Sequence, residues 1–367
     1  MDDRNRDLWD PTRWFLGLMS GTSLDGIDAA LIRCDGQKLF ERGAFATVSY
    51  TADFRDALRG VLGPDGDATE IATVARALTL RAAEAVGALL TEAGLAKDRV
   101  GLIGFHGHTI WHDPAAGVTH QIGDGALLAS ATGIDVISDF RSRDVATGGE
   151  GAPLAPLYHQ ALAADLEKPL AVLNLGGVGN VTWIGENALL AFDTGPGNAL
   201  IDDWVQAATG QPLDRDGALA RSGRVDGKAL SALLESAYFA RRPPKSLDRD
   251  AFDPAPIAGL SAADGAATLT AFTAASVAGA LEHLPAPPRR WLVTGGGRHN
   301  PAIMAALRER LPVPVEPVEA VGWNGDALEA QAFAYLAVRA RLGLPLSLPS
   351  TTGVRQPTSG GVLHRAA

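Results

Sequence analysis

Three stretches of this sequence combine glycines, hydroxyls and carboxylates in patterns that suit anion binding and proton transfer. The first is Leu18–Asp28 (LMSGTSLDGID), where Ser20 is followed by Gly21 and Gly26 flanking Thr22, Ser23, Leu24 and Asp25, between two apolar runs. Backbone N–H groups of such a turn can point at phosphate oxygens, and glycine removes the Cβ that would block their approach. Asp25 could hold Mg²⁺ directly or through water. No Gly-Lys-Ser/Thr follows, so this is not a Walker loop, and a plain hairpin turn is the competing reading. The second is Phe192–Asp202 (FDTGPGNALID). It sets Asp193 at a strand end, where α/β enzymes place catalytic groups, ahead of a helix start that favours an anion. A capping role for Asp193 explains the same residues. The third is Val293–Asn300 (VTGGGRHN), where Gly295, Gly296 and Gly297 follow a strand and precede a helix. A ligand's adenosine or phosphate can lie against such a backbone. A merely flexible loop would carry the entropic cost of three glycines without return.

Other polar clusters are less directed. His106, His108, His112 and His120 fit neither the spacing of a helical zinc pair nor that of a zinc finger, and Cys34 is the sole cysteine. A residue lining a sugar site, or a satisfied core histidine, suits them better. Asp139, Arg141, Arg143 and Asp144 form a mixed charged stretch after a strand: either a salt-bridged surface or a carboxylate-binding patch.

The elements that position these residues follow from apolar periodicity. Residues 14–19 and 27–32 read as strands joined by the first glycine turn, and 43–50 as a third. Residues 71–93 form a long helix, and 100–105 a strand ending at His106-Gly107-His108. A glycine-rich loop spans 147–151. A second hairpin, 171–175 and 181–184, encloses Gly176-Gly177-Val178-Gly179-Asn180. Residues 189–192 deliver Asp193, and helices follow at 198–209, 266–284, 301–310 and 326–342, with a strand at 291–294. The tail from Pro345 is expected to be extended. A hairpin followed by more strand and then helix thus occurs twice, which two lobes of similar topology with a cleft between them would explain; periodicity alone does not separate this from an ordinary doubly wound α/β protein.

A length of 367 residues suits two domains, and 46 % hydrophobic with 20 % charged residues is ordinary for a soluble globular protein. The net charge of −10 argues against non-specific nucleic-acid binding. No intramolecular disulfide is possible with one cysteine. The polar segment 1–14 does not read as a signal peptide, and no apolar run reaches the roughly 18 residues of a membrane span. A cytoplasmic protein without nucleic-acid or membrane partners is expected.

Taken together, GLMSGTSLDGID, FHGHTIWH, QIGDGALLA, DFRSRDVATGGEGAPLAP, VLNLGGVGNVTWI, FDTGPGNALIDDW, PPKSLDRDAFD, VTGGGRHNP and GWNGDALEAQAFAYLA resemble, in order and along nearly the whole chain, the 1,6-anhydro-N-acetylmuramic acid kinase family. The resemblance implies an α/β, two-lobed actin-like ATPase (ribonuclease H-like) fold with a central nucleotide cleft. It implies a first lobe of residues 1–145, on which the tail 343–367 packs back, and a second of 146–342. Ser20–Ile27, including Gly26 and Ile27, corresponds to the first phosphate loop and Gly295–Gly297 to the adenine-nucleotide loop. Asp193 matches the catalytic base. The implied reactants are ATP with Mg²⁺ and an anhydro-sugar from cell-wall turnover, which is opened by water and phosphorylated on O6.

Substrate contacts are expected from His108, Asp124, Arg141, which suits the sugar's lactyl carboxylate, and Glu329, which suits orienting water or Mg²⁺. The sequence departs from the family pattern at His108, commonly Gln, and Asp124, often Asn, which bears on fine specificity. A homodimer is left open. An ordinary sugar kinase acting on a free hydroxyl and a nucleotide-gated binding module are the alternatives.

Overall fold

The computed structural model describes residues 13–21, 24–249 and 251–366. Contacts divide the chain into two units, one running through Asp165 and resuming at Ala327, the other Leu166–Asp326. Among the described residues no helix is long and apolar enough to cross a membrane.

The first unit is built on β1 (Trp14–Ser20), β2 (Gly26–Cys34), β3 (Leu39–Ser49), β4 (Val100–Asp113), β5 (Val118–Ile122) and β6 (Val136–Ser138). The chain's last strand, Val362–His364, numbered β12, also joins this sheet. The strand order is β12-β6-β4-β1-β2-β3, and β5 pairs with β4. β1–β2–β3 is an antiparallel meander, while β4 and β6 run parallel to β1 and to each other.

Strand alternation assigns the two faces. Leu16, Leu18, Ile103 and Phe105 enter a core with Leu78, Ala82, Ala85 and Leu89 of the Ala68–Glu92 helix. Asp67 caps that helix by accepting from the N–H groups of Thr69 and Glu70. On the alternate positions, Gly17 and Gly104 lie under the Leu328–Arg341 helix. A Cβ on Gly17 would stand 1.7 Å from the Ala330 carbonyl oxygen, and one on Gly104 2.1 Å from that of Phe333. The helix therefore rests directly on the sheet backbone.

The second unit holds β7 (Leu170–Leu175), β8 (Val178–Ile184), β9 (Leu189–Pro196), β10 (Trp291–Thr294) and β11 (Val315–Pro317), in the order β11-β10-β7-β8-β9. Again three antiparallel strands are extended by two parallel ones. Ala171, Leu173, Val181 and Phe192 pack with Leu269, Phe272 and Val277 of the Ala262–Gly279 helix. The same order, an antiparallel three-strand meander extended from its first strand by two parallel strands, thus occurs as β3-β2-β1-β4-β6 in the first unit and β9-β8-β7-β10-β11 in the second. It is the ribonuclease H-like arrangement of the actin-like fold, in a mixed α/β chain.

Several boundaries differ from the sequence reading. β4 does not stop before the histidines but continues to Asp113 and folds back through β5, because His108 to Asp113 find ladder partners in Val118–Ile122. β9 continues past Asp193 to Pro196, since Gly179 and Val178 pair with Gly195 and Pro196. Residues 146–165 and 327–342, assigned from sequence to the second lobe, group with the first unit. The contacts of Gly17 and Gly104 account for the helix, and the Tyr158 hydroxyl donates to Gln331 Oε1 at 2.8 Å. The tail is not simply extended: Pro349–Thr352 makes a helical turn and β12 pairs antiparallel with β6.

Candidate active site

In the first unit the candidate loop leaves β1 at Ser20. The Ser20 hydroxyl is buried between the Tyr50 hydroxyl, at 2.6 Å, and His108 Nδ1, at 2.9 Å. Leu24 N–H donates to the Gly21 carbonyl at 3.2 Å, and Leu24 adopts the left-handed region at φ 56°. The Asp25 carbonyl accepts from Tyr50 N–H at 2.9 Å, and Asp25 is exposed. Thr22 and Ser23 lie outside the described residues. Leu24 and Ile27 point into the core, so only their backbone is left for a ligand. Gly26 has a packing reason to be glycine: its Cβ would stand 2.6 Å from the Val48 carbonyl oxygen.

His108 is buried beside this loop, and burial pushes its pKa down to about 4 against the opposing bond to Ser20, so the ring is neutral. Its Nε2 meets no hydrogen-bond partner among the described residues. Asp124 caps the Gly125–Thr132 helix by accepting from Leu127 N–H at 2.9 Å.

Arg141 is half-buried; its Nε donates to His106 Nε2 at 3.0 Å and its Nη1 to the Gly151 carbonyl at 2.7 Å. That fixes the tautomer: His106 Nδ1 carries the proton, facing the Gly107 carbonyl at 3.0 Å. Burial, then the Arg141 charge, holds the His106 pKa well below the ordinary range. The loop around Gly151 is tied down further by Asp144, whose carboxylate accepts from Gly151 N–H at 2.7 Å and the Thr352 hydroxyl at 2.6 Å. His106 also borders a polar cavity of about 240 Å³ with His120, Gln121, Ser138, Asp139 and Ser142. Glu329 is exposed in the first turn of the Leu328–Arg341 helix.

In the second unit Asp193 lies in β9 opposite Asn180, next to a register shift at Gly179/Asn180. It is buried, and neighbouring chain grips it at three atoms. Leu247 N–H donates to Oδ2 at 2.8 Å, the Asp193 N–H donates to the Lys245 carbonyl at 3.0 Å, and the Tyr238 hydroxyl donates to the Asp193 carbonyl at 2.5 Å. An N–H on a carboxylate oxygen fixes its orientation and favours the charged form.

Beyond Asp193 the Gly-Pro-Gly-Asn turn folds onto the β7–β8 turn. Asn198 N–H donates to the Gly176 carbonyl at 2.7 Å, and Asn198 Nδ2 to the Leu175 carbonyl at 3.0 Å. The third loop arrives at the same place. A Cβ on Gly297 would stand 2.6 Å from Leu175 Cβ and 2.9 Å from Asn198 Oδ1, while one on Gly296 would have only Asn198 Nδ2, at 3.5 Å. Gly295 takes φ +75°, and its Cβ would meet Asn174 Oδ1 at 2.4 Å. The glycines thus let β7, β9 and β10 bring three backbone turns together, with Gly296 the open one.

Arg298 holds this loop from behind. Its side chain is 2 % exposed and pairs with Glu319 and Asp326, each at 2.9 Å, and with the Gly295 carbonyl at 3.0 Å. Sequence reasoning missed Arg298, the Gly176–Gly177 turn as part of this cluster, and the Tyr238–Leu247 segment around Asp193. The available signals were an arginine directly after GGG, a glycine turn repeating the position of the first, and the PPKSLD stretch. Among the described residues no cluster of three His, Cys, Asp or Glu side chains could hold a metal ion by itself. Asp25 is an exposed carboxylate of the donor type that Mg²⁺ takes, one or two of them alongside waters and phosphate oxygens.

The family model for anhydro-N-acetylmuramic acid kinase matches residues 13–366. An anhydro-N-acetylmuramic acid kinase of Rhodospirillum rubrum is 59 % identical over 358 residues, covering 96 % of this chain and 95 % of the relative. Proteins of the same description from Paramagnetospirillum magneticum and Rhizorhabdus wittichii are 59 % and 55 % identical, each across 95 % of this chain and 99 % and 98 % of their own.

Proposed function

Because the chain belongs to the anhydro-N-acetylmuramic acid kinase family, we propose that it uses ATP and water to open the ring of 1,6-anhydro-N-acetylmuramic acid and phosphorylate O6. The products are N-acetylmuramic acid 6-phosphate and ADP, in cell-wall recycling. In the substrate O6 is an ether oxygen tied to C1, with no proton and little nucleophilicity. Asp193 takes a proton from water as that water bonds to C1. The C1–O6 bond breaks, its electron pair stays on O6, and O6 attacks the γ-phosphorus in line while ADP leaves.

The observation that carries this reading is the setting of Asp193: a buried carboxylate whose Oδ2 is oriented by Leu247 N–H, in the strand that leads into the Gly-Pro-Gly turn. The backbone at Gly176, Asn198 and Gly296 suits a nucleotide, as does the Ser20–Ile27 turn. Mg²⁺, held by Asp25 through water, would supply positive charge to the transferring phosphoryl group. Arg141 suits the lactyl carboxylate if it exchanges one present partner for it. Asp124, exposed at a helix cap, and Glu329, exposed at a helix start, remain candidates for the sugar and for the water. His108 would act on the site through Ser20 rather than by direct contact.

The test is phosphoryl transfer from γ-labelled ATP with the anhydro-sugar, with the ring-opened sugar, and with neither, followed by mass analysis. Label in a sugar 6-phosphate only with the anhydro-sugar supports the proposal. Equal transfer to the open sugar makes the protein an ordinary sugar kinase. Sugar-independent release of labelled phosphate makes it a nucleotide-gated ATPase.

A further inference from the structure

Lys245 belongs to the PPKSLDRDAFD stretch and is 2 % exposed, a rare setting for a lysine. Its Nζ donates to the carbonyls of Tyr238, at 3.1 Å, and Phe239, at 3.4 Å, and lies 4.4 Å from the centre of the Tyr238 ring. The ammonium therefore ties one end of the 238–247 segment to the other. Both ends hold Asp193: Tyr238 through its hydroxyl, residues 245 and 247 through a carbonyl and an N–H.

We propose that Lys245 is the positioning residue for the catalytic carboxylate: its buried ammonium closes the 238–247 segment around Asp193 and adds the positive charge that favours the ionised base. This rests on Asp193 being the base. The other charged or titratable groups gathered here are Tyr238, Arg241, whose guanidinium lies 5.7 Å from the Tyr238 ring centre, and His283, whose Nε2 faces the Phe239 carbonyl at 3.0 Å. Burial first, then repulsion from Arg241, pushes the Lys245 pKa down to about 8, while Asp193 pulls it back up. Asp193 is thus among the groups that favour the charged lysine.

The test compares Lys245→Met, Tyr238→Phe and Asp193→Asn in the full chain, reading kcat, both KM values, the acid limb of the kcat profile and the thermal midpoint. Misplacing a reacting group by about 1 Å costs about 10²-fold, so Lys245→Met should lose roughly 10–100-fold in kcat with both KM values within about threefold. Loss of a nearby cation raises a carboxylate pKa, so the acid limb should move up by about one pH unit. Tyr238→Phe keeps the ammonium and its carbonyl partners and loses only one bond to Asp193, so it should lower kcat several-fold and leave the limb in place. Folded Lys245→Met with kcat within about twofold and an unmoved limb overturns the proposal. So does wild-type kcat in Tyr238→Phe if Lys245→Met does not fold. Asp193→Asn separates the two readings: if it still turns over, the base assignment falls as well, and if it is dead while both flanking variants are normal, only the positioning role falls.

Discussion

Replacing Arg298 by Met keeps much of the apolar stem and deletes the guanidinium, which isolates what its hydrogen bonds contribute. The two acids it pairs with are not buried: Glu319 is 45 % and Asp326 53 % exposed, so water takes over when the pairs break. Each of those pairs is therefore worth about 0.2–1 kcal/mol. The bond to the Gly295 carbonyl is different, because a side chain 2 % exposed makes it. A hydrogen bond from a charged group contributes about 1.5–3 kcal/mol, so the variant should lose roughly 2–5 kcal/mol in total. Urea unfolding of wild type and variant at equal m reads this directly as a lower midpoint. Glu319→Gln, which removes one exposed charge, should cost under about 1 kcal/mol. A loss below about 0.5 kcal/mol in Arg298→Met, or a larger loss in Glu319→Gln, would refute the view that Arg298 secures the Gly295 turn.

Gly104→Ala would drive a Cβ to 2.1 Å from the Phe333 carbonyl oxygen and should cost about 3 kcal/mol or more, since helix and sheet must separate. Gly87→Ala, on the exposed face of a helix with nothing within 4 Å, should instead gain about 0.5–1 kcal/mol; denaturation midpoints of the pair check both signs. Asp202 has its pKa pushed up to about 7, by burial first and then by Asp203 and Asp214, against Arg249. The neutral acid is the favoured folded form, so its contribution is full below the unfolded pKa near 4 and is lost as pH rises through 7. Asp202→Asn should match wild type near pH 4 and become progressively more stable than it toward pH 8. A difference in thermal midpoint that does not change with pH contradicts this.

The duplicated architecture was legible because strand meanders announce themselves by short apolar runs separated by glycine turns, here at Ser20–Gly26 and Gly176–Asn180. The long helices were legible too, though 266–284 proved to be Ala262–Gly279 followed by a 3₁₀ turn. What local pattern did not reveal was pairing across distance. By apolar pattern the strand ends at His106-Gly107-His108, and pairing with β5 is what carries it on to Asp113. The Leu328–Arg341 helix is apolar almost all round, so its sequence does not say which sheet it covers; Gly17 and Gly104 do. In the site, the glycine clusters and Asp193 were readable as residue types. Lys245, Tyr238 and Leu247 were not, because two of their three bonds to Asp193 use main-chain atoms, which leave no mark on side-chain identity. Nothing in the local sequence marks Arg298 as buried.

The central claim, that water deprotonated by Asp193 attacks C1 and frees O6 to take the phosphoryl group, is tested most directly by turnover in heavy-oxygen water with wild type and Asp193→Asn. The account predicts that wild type places the label at C1 of N-acetylmuramic acid 6-phosphate and none in the phosphoryl group. Asp193→Asn should keep nucleotide affinity while losing about 10²–10⁴-fold or more in rate. Label in the phosphate, or turnover near wild type in Asp193→Asn, would contradict it.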